Sequence, residues 1–114
     1  MPVVNPQNLT IQGATEFEDG SEYTSENRAG YTLGVTTDLS NPNTQTYNEL
    51  LSITTEMQEF GMPVGDLDLA YGEYLISVRE VANNGQTSVW HEPGIHIEIR
   101  DVRVPRAPTL FFGE

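Results

Sequence analysis

The sequence of 114 residues contains no cysteine and no lysine. The absence of cysteine excludes disulfides, thiolate catalysis and cysteine-based zinc or iron–sulfur sites. The absence of lysine excludes Schiff-base catalysis and the lysine of a phosphate-binding loop. No uncharged apolar run approaches the roughly 18 residues of a membrane-spanning helix, so we expect no membrane insertion. The opening residues lack the basic and apolar regions of a secretory signal, which predicts synthesis in the cytoplasm without a signal peptide.

Positive charge is scarce, because the chain has only five arginines against 17 acidic residues and its formal net charge is -12. Nucleic-acid binders need a basic face, and anionic membranes attract basic segments, so the charge argues against both partners. Residues 1–78 hold one arginine and twelve of the acidic residues. One interpretation is that the acidic surface keeps the protein soluble. The other is that the acidic part faces solvent while the C-terminal part, with Arg100, Arg103 and Arg106, docks on a partner.

The pattern of the chain is typical of an all-β protein. Ten glycines and seven prolines separate short segments rich in β-branched and aromatic residues. Apolar and polar residues alternate over residues 31–37, 74–79 and 95–99, which indicates strands with one buried face. Asn83, Asn84 and Gly85 form a typical turn signal. We therefore predict a β-sandwich of about seven strands.

Residues 46–60 are compatible with two structures. Leu50, Ile53 and Met57 recur at helical spacing behind a capping-box signal, which favours one short helix. Leu51 and Ile53 also alternate within a β-branched stretch, which favours a strand. Both alternatives stay open from the sequence alone.

Residues 69–94 contain a series of apolar, aromatic and turn residues, namely Leu69, Tyr74, Ile76, Val78, Val81, Gly85, Ser88, Trp90, Glu92 and Pro93. At these positions the segment resembles the late part of a fibronectin type III domain. The resemblance implies a seven-strand, immunoglobulin-like Greek-key sandwich, and residues 6–11 resemble the first strand of that family. Residues 104–109 resemble a linker that leads out of such a domain. The chain departs from the family by lacking its early tryptophan and by carrying Glu80 where a small residue is usual.

The resemblance also implies structural roles for two aromatic residues. Tyr74 is expected to bury its ring and to donate its hydroxyl to a nearby backbone carbonyl, as in a tyrosine corner. Trp90 is expected to pack over the end of the core. The alternative for Trp90, which is next to His91, is an exposed platform on which a sugar stacks.

Signatures of catalysis and of metal binding are weak throughout the sequence. The chain has two histidines and none of the common nucleophile, phosphate-loop or zinc motifs, so we expect no enzyme and no cofactor. Carboxylates suit Ca²⁺, but the EF-hand spacing is absent, and a solvated acidic loop at 16–26 is the favoured interpretation. We therefore predict no metal site among Glu16, Glu18, Asp19, Glu22, Glu26, Asp66 and Asp68.

The C-terminus is unusual because an apolar segment ends a highly acidic chain. We predict one sandwich domain over residues 1–104 and an extended, proline-stiffened arm over residues 105–114. This arm either folds back onto the sandwich or inserts into a partner. The predicted partner-binding residues are Arg103, Arg106, Leu110, Phe111 and Phe112.

Two functions remain as hypotheses. The chain resembles accessory structural proteins of bacteriophage particles, which serve as head decoration, collar, tail or fibre parts. Its partners would then be capsid or tail proteins or further copies of itself, at the virion surface or outside the cell. The alternative is an adhesion module that binds a glycan or receptor through a loop surface formed by Tyr23, Asn83, Asn84, Gln86 and Trp90.

Overall fold

The computed structural model describes residues 1–103 and 105–113. It confirms the all-β class with seven strands, and one short 3₁₀ turn spans Val64–Leu67. The strands are β1 (Val3–Val4), β2 (Asn8–Gln12), β3 (Arg28–Thr36), β4 (Asn48–Thr54), β5 (Glu59–Pro63), β6 (Gly72–Ala82) and β7 (Ile95–Ile99).

The strands form two sheets, one with the order β1-β7-β6-β3-β4 and one that pairs β2 with β5. The β1 strand runs parallel to β7, and the other pairs are antiparallel. Each sheet has one apolar face because its side chains alternate, and these faces bury each other. The buried residues of the resulting core are Ile11, Tyr31, Leu33, Val64 and Leu67.

The ambiguous segment 46–60 forms strands. The strand alternative is confirmed over Asn48–Thr54, and the short helix near 46–60 is wrong. Leu51 lies opposite Leu33, and Ile53 lies opposite Tyr31, across the β3–β4 pair. These apolar cross-strand pairs are available only in the extended conformation, and they outweigh the helical spacing of the same side chains.

The outer face of the five-stranded sheet is partly covered as well. Trp90 is buried there, with its ring beside the Tyr47 ring at a centroid distance of 5.2 Å. The Arg79 guanidinium carbon lies 4.6 Å from the centroid of the Trp90 ring, and Gly34 leaves the space that the indole occupies. Trp90 therefore has a structural contact, but on the outer face of the sheet and not over the end of the main core.

Both ends of β6 show the local features that the sequence predicts. The Tyr74 hydroxyl donates to the Ala70 carbonyl over 2.8 Å, although the Tyr74 ring is half-buried and not fully buried. At the other end, the Gly85 N–H donates to the Ala82 carbonyl over 3.0 Å. Gly85 has a φ of 87°, in the left-handed region that glycine tolerates best.

The C-terminal segment projects from the sandwich. Residues 101–103 and 105–113 are exposed along their whole length. The longest dimension of the molecule is 82 Å, against 27 and 18 Å for the other two. Its radius of gyration is 19.2 Å, whereas a compact domain of this size has a value of about 13 Å. Val104, at the predicted domain boundary, and Glu114, at the end of the arm, lie outside the described residues.

Candidate docking site

The projecting segment carries the most exposed apolar cluster of the described residues. Leu110, Phe111 and Phe112 expose 85, 80 and 92% of their surface. Contiguous apolar groups left in water are a feature of surfaces that bind other proteins or membranes. Residues 105–113, called the arm below, are therefore the candidate docking element.

Of the two arginines predicted to bind a partner, one lies just before the arm and the other near its start. Arg103 is exposed, and its Nη2 atom lies 2.7 Å from Oδ2 of Asp101. This hydrogen bond holds the pKa of the Asp101 carboxyl below its usual value. Arg106 is exposed within the arm itself. The sequence-predicted partner residues therefore share one accessible segment.

The predicted ligand loops do not present an aromatic face. Tyr23 and Trp90 are buried, with 7 and 6% of their surface exposed. Sugar stacking needs an accessible ring face, so neither residue provides the platform that the adhesion alternative requires. Asn83, Asn84 and Gln86 are exposed turn residues, and the Gln86 N–H donates to Oδ1 of Asn84 over 2.9 Å.

The five residues predicted to form the ligand loop surface do not line a single cleft. Tyr23 and Gln86 line a cleft of about 280 Å³ together with Phe17. Trp90 instead lines a second cleft of about 530 Å³, which opens beside β2. Tyr23 and Gln86 therefore line one cleft, whereas Trp90 lines the other.

A buried ion pair that the sequence analysis did not identify lies at one end of the sandwich. Arg28 is 2% exposed, and its Nε lies 3.1 Å from Oε1 of Glu80. The same guanidinium donates to the Glu56 carbonyl over 3.1 Å and to the Ala14 carbonyl over 2.8 Å. Arg28 therefore ties β3 to β6 and to two connecting segments.

Glu80 is the second centre of this network, which we call the Arg28–Glu80 network. Its carboxylate accepts the Tyr23 hydroxyl over 3.1 Å and the Ala14 N–H over 2.6 Å. The signal in the sequence was the place of Glu80 in the alternation of β6, on the same face as Ile76 and Val78. An acidic residue at an inward position needs a buried partner, but the sequence does not say which arginine supplies it.

We expect the Arg28–Glu80 network to make the protein less stable at alkaline pH. Burial, together with the negative charge of Glu80, raises the pKa of Tyr23 to about 12. In the unfolded chain tyrosine titrates near pH 10. Between pH 10 and 12 the unfolded state therefore loses this proton while the folded state keeps it, and stability falls as the pH rises. We expect a loss of up to about 3 kcal/mol, which is present in full only above pH 12.

The matched control for this loss is Tyr23→Phe, which removes the titrating hydroxyl but keeps the ring. Urea unfolding at pH 8, 10 and 11.5 should show a steeper decline for the natural chain than for the variant. The pKa of Tyr31 is also raised by burial, and this tyrosine titrates in both chains, so its contribution cancels. Equal declines in the two chains would show that Tyr23 is not the group responsible.

Asp19, in the acidic segment 16–26, forms hydrogen bonds within its own turn. Within residues 1–103 and 105–113, no three histidine, aspartate or glutamate side chains come together in a way that could hold a metal ion. Asp19 instead accepts the backbone N–H of Ser21 over 2.8 Å and the hydroxyl of the same residue, and these bonds lower the pKa of its carboxyl. Its carboxylate thus closes a local turn.

Fold and site together define a β-sandwich with a projecting apolar arm. Comparisons with protein-family models, with curated proteins and with solved structures return no match to this chain. Among the described residues, no helix has the length and apolar character needed to cross a membrane.

Proposed function

We propose that this chain is a non-enzymatic structural protein that docks on neighbouring protein subunits through its C-terminal arm. The observation that carries this proposal is the near-complete exposure of Leu110, Phe111 and Phe112. Three large apolar side chains in water are unfavourable by about 25 cal/mol for each Å² left exposed, so burial against a partner is the expected state.

The setting that fits best is an accessory component of a bacteriophage particle, at the virion surface. Such a component assembles from the cytoplasm and needs only a stable body and a means of attachment. The sandwich would be of the fibronectin type III or immunoglobulin-like kind. The strand order β1-β7-β6-β3-β4 against β2-β5 and the Tyr74 hydroxyl bond support this relationship. The body, with its large excess of acidic residues, would face outward and limit unspecific association.

Removing the arm should abolish assembly without unfolding the sandwich. We expect the full-length chain to form an oligomer and the chain truncated after Arg106 to have the monomer mass. The sandwich should stay folded, since residues 107–113 are exposed and contribute nothing to the core. Light scattering coupled to size-exclusion chromatography measures the masses, and circular dichroism checks the fold.

A double substitution tests whether the apolar side chains are responsible. Phe111→Ser with Phe112→Ser should reproduce the truncation. The control Met57→Ser removes an exposed apolar side chain from the body, where 59% of Met57 is accessible, and should leave the mass unchanged. An oligomer that persists after the truncation would contradict docking through the arm. A full-length chain that is monomeric at every concentration would exclude assembly between copies and leave capsid or tail proteins as the partners.

A further inference from the structure

The two-stranded sheet has an unpaired edge on β2. The Gly13 N–H donates to the Gln58 carbonyl, and the Val64 N–H donates to the Gln7 carbonyl. In an antiparallel pair these bonds recur at every second residue, so the odd-numbered residues of β2 bond to β5. The backbone groups of Asn8, Thr10 and Gln12 therefore point to the other side, where the sheet order places no strand of the described chain.

This edge lacks the features that protect the other edges. Natural sheets block pairing with charged residues, proline, bulges or very short strands. The β5 edge ends in Pro63, β1 has two residues, and β4 carries Glu49 and pairs across a register shift. The segment Asn8–Gln12 contains neither a charge nor a proline.

A cleft with both apolar and polar lining lies beside the same edge. The cleft of about 530 Å³ is lined by Ile11 on β2 and by Val78 and Trp90 on the opposite elements, and Arg79 and Glu92 are among its charged lining residues. A strand added to β2 would direct every second side chain towards this space. The edge thus offers both hydrogen-bonding groups and room for side chains.

We infer that the arm of a second copy of this chain adds to the free edge of β2 as an antiparallel strand. The inference deepens the proposed function, on which it rests, by naming the partner and its acceptor surface. Residues 1–99 hold two arginines and 15 acidic residues, whereas residues 100–114 hold three arginines and two acidic residues. The body and the segment that carries the arm are therefore of opposite charge, which favours binding between copies.

The sequence of the arm fits one register. Residues 109–113 are free of proline and equal β2 in length. With Leu110 opposite Ile11 and Phe112 opposite Leu9, both arm side chains face the core side of the sheet. Thr109, Phe111 and Gly113 then bond to β2, and Pro108, which lacks an N–H, falls at a position that needs no hydrogen bond.

The absence of natural cysteine allows a direct test of this register. Gln12 and Thr109 would form a hydrogen-bonded pair with Cα atoms about 5.5 Å apart, a distance that a disulfide spans. Full-length Gln12→Cys is mixed with full-length Thr109→Cys under mild oxidation, and mixed dimers are measured by mass spectrometry. The control replaces the first variant with Ser52→Cys, an exposed position on the edge strand β4.

We expect at least tenfold more mixed dimer with Gln12→Cys than with Ser52→Cys. Equal or greater yield with Ser52→Cys would overturn the acceptor site. A Gln12→Cys, Thr109→Cys double variant that oxidises within one chain as a monomer would overturn the second copy as the occupant. No cross-link, with arm-dependent assembly still present by light scattering, would overturn this inference and leave the proposed function intact. No assembly at all would also overturn the second copy as the occupant, whereas assembly that persists without the arm would contradict the proposed function.

Discussion

Replacing Arg28 with methionine should destabilise the sandwich by about 3–5 kcal/mol. The substitution removes the partner of a Glu80 carboxylate whose side chain is 14% exposed, and such a charge cannot be rehydrated without opening the structure. It also leaves the carbonyl groups of Ala14 and Glu56 without the guanidinium that they bind. Urea unfolding, followed by the fluorescence of Trp90, measures the loss.

Two variants separate the buried charge from lost packing. Arg28→Met combined with Glu80→Leu removes both charges, and most of the lost stability should return, because a buried ion pair contributes little beyond its apolar replacement. Arg103→Met breaks an exposed pair with Asp101 and should leave the midpoint unchanged. If Arg28→Met lowers the free energy of unfolding by less than about 1 kcal/mol, the Arg28–Glu80 network does not stabilise the sandwich as described.

Gly30→Ala should have an effect of comparable size, about 3 kcal/mol, by a different mechanism. Gly30 lies where the register of β3 shifts against β6, and its φ is 157°. An added Cβ would overlap the backbone carbonyl of Ile53 on β4. Because a backbone atom cannot move aside as a flexible side chain can, the β3–β4 pair must separate.

Gly61→Ala is the matched control, since it also places a methyl group on a glycine within a strand. The nearest atom to the added Cβ of residue 61 is the Leu9 carbonyl oxygen at 3.7 Å, an ordinary contact. This variant should change stability by no more than about 1 kcal/mol, in the stabilising direction expected from lower entropy of the unfolded chain. Similar urea midpoints for the two variants would contradict the close approach at Gly30.

Sequence reasoning worked best where the signal was local. The alternation in β6 and β7, the turn before Gly85 and the Tyr74 hydroxyl bond each depend on neighbouring residues. It failed to decide residues 46–60, because the same apolar side chains satisfied a helical and an extended spacing. Only the presence of Leu33 and Tyr31 on the adjacent strand resolved that choice.

The candidate site shows the same division. The apolar arm and its arginines could be identified directly, because three adjacent apolar residues after two prolines are visible in the sequence. Only the structure shows that these side chains are exposed and not folded back onto the sandwich. The free edge of β2 could not, because an edge is defined by which strand fails to pair, and that depends on the whole sheet order. The burial of Tyr23 and Trp90 likewise depends on distant segments.

The all-β class, the acidic charge and the apolar end of the chain follow from the sequence alone, since periodicity and composition are properties of short stretches. The tertiary structure alone decided that Arg28 meets Glu80 across 52 residues of chain, that Trp90 lies on the outer face of the sheet, and that β2 stays open at one edge. Those features arise from contacts between distant segments, where many pairings satisfy the same local pattern and packing selects one.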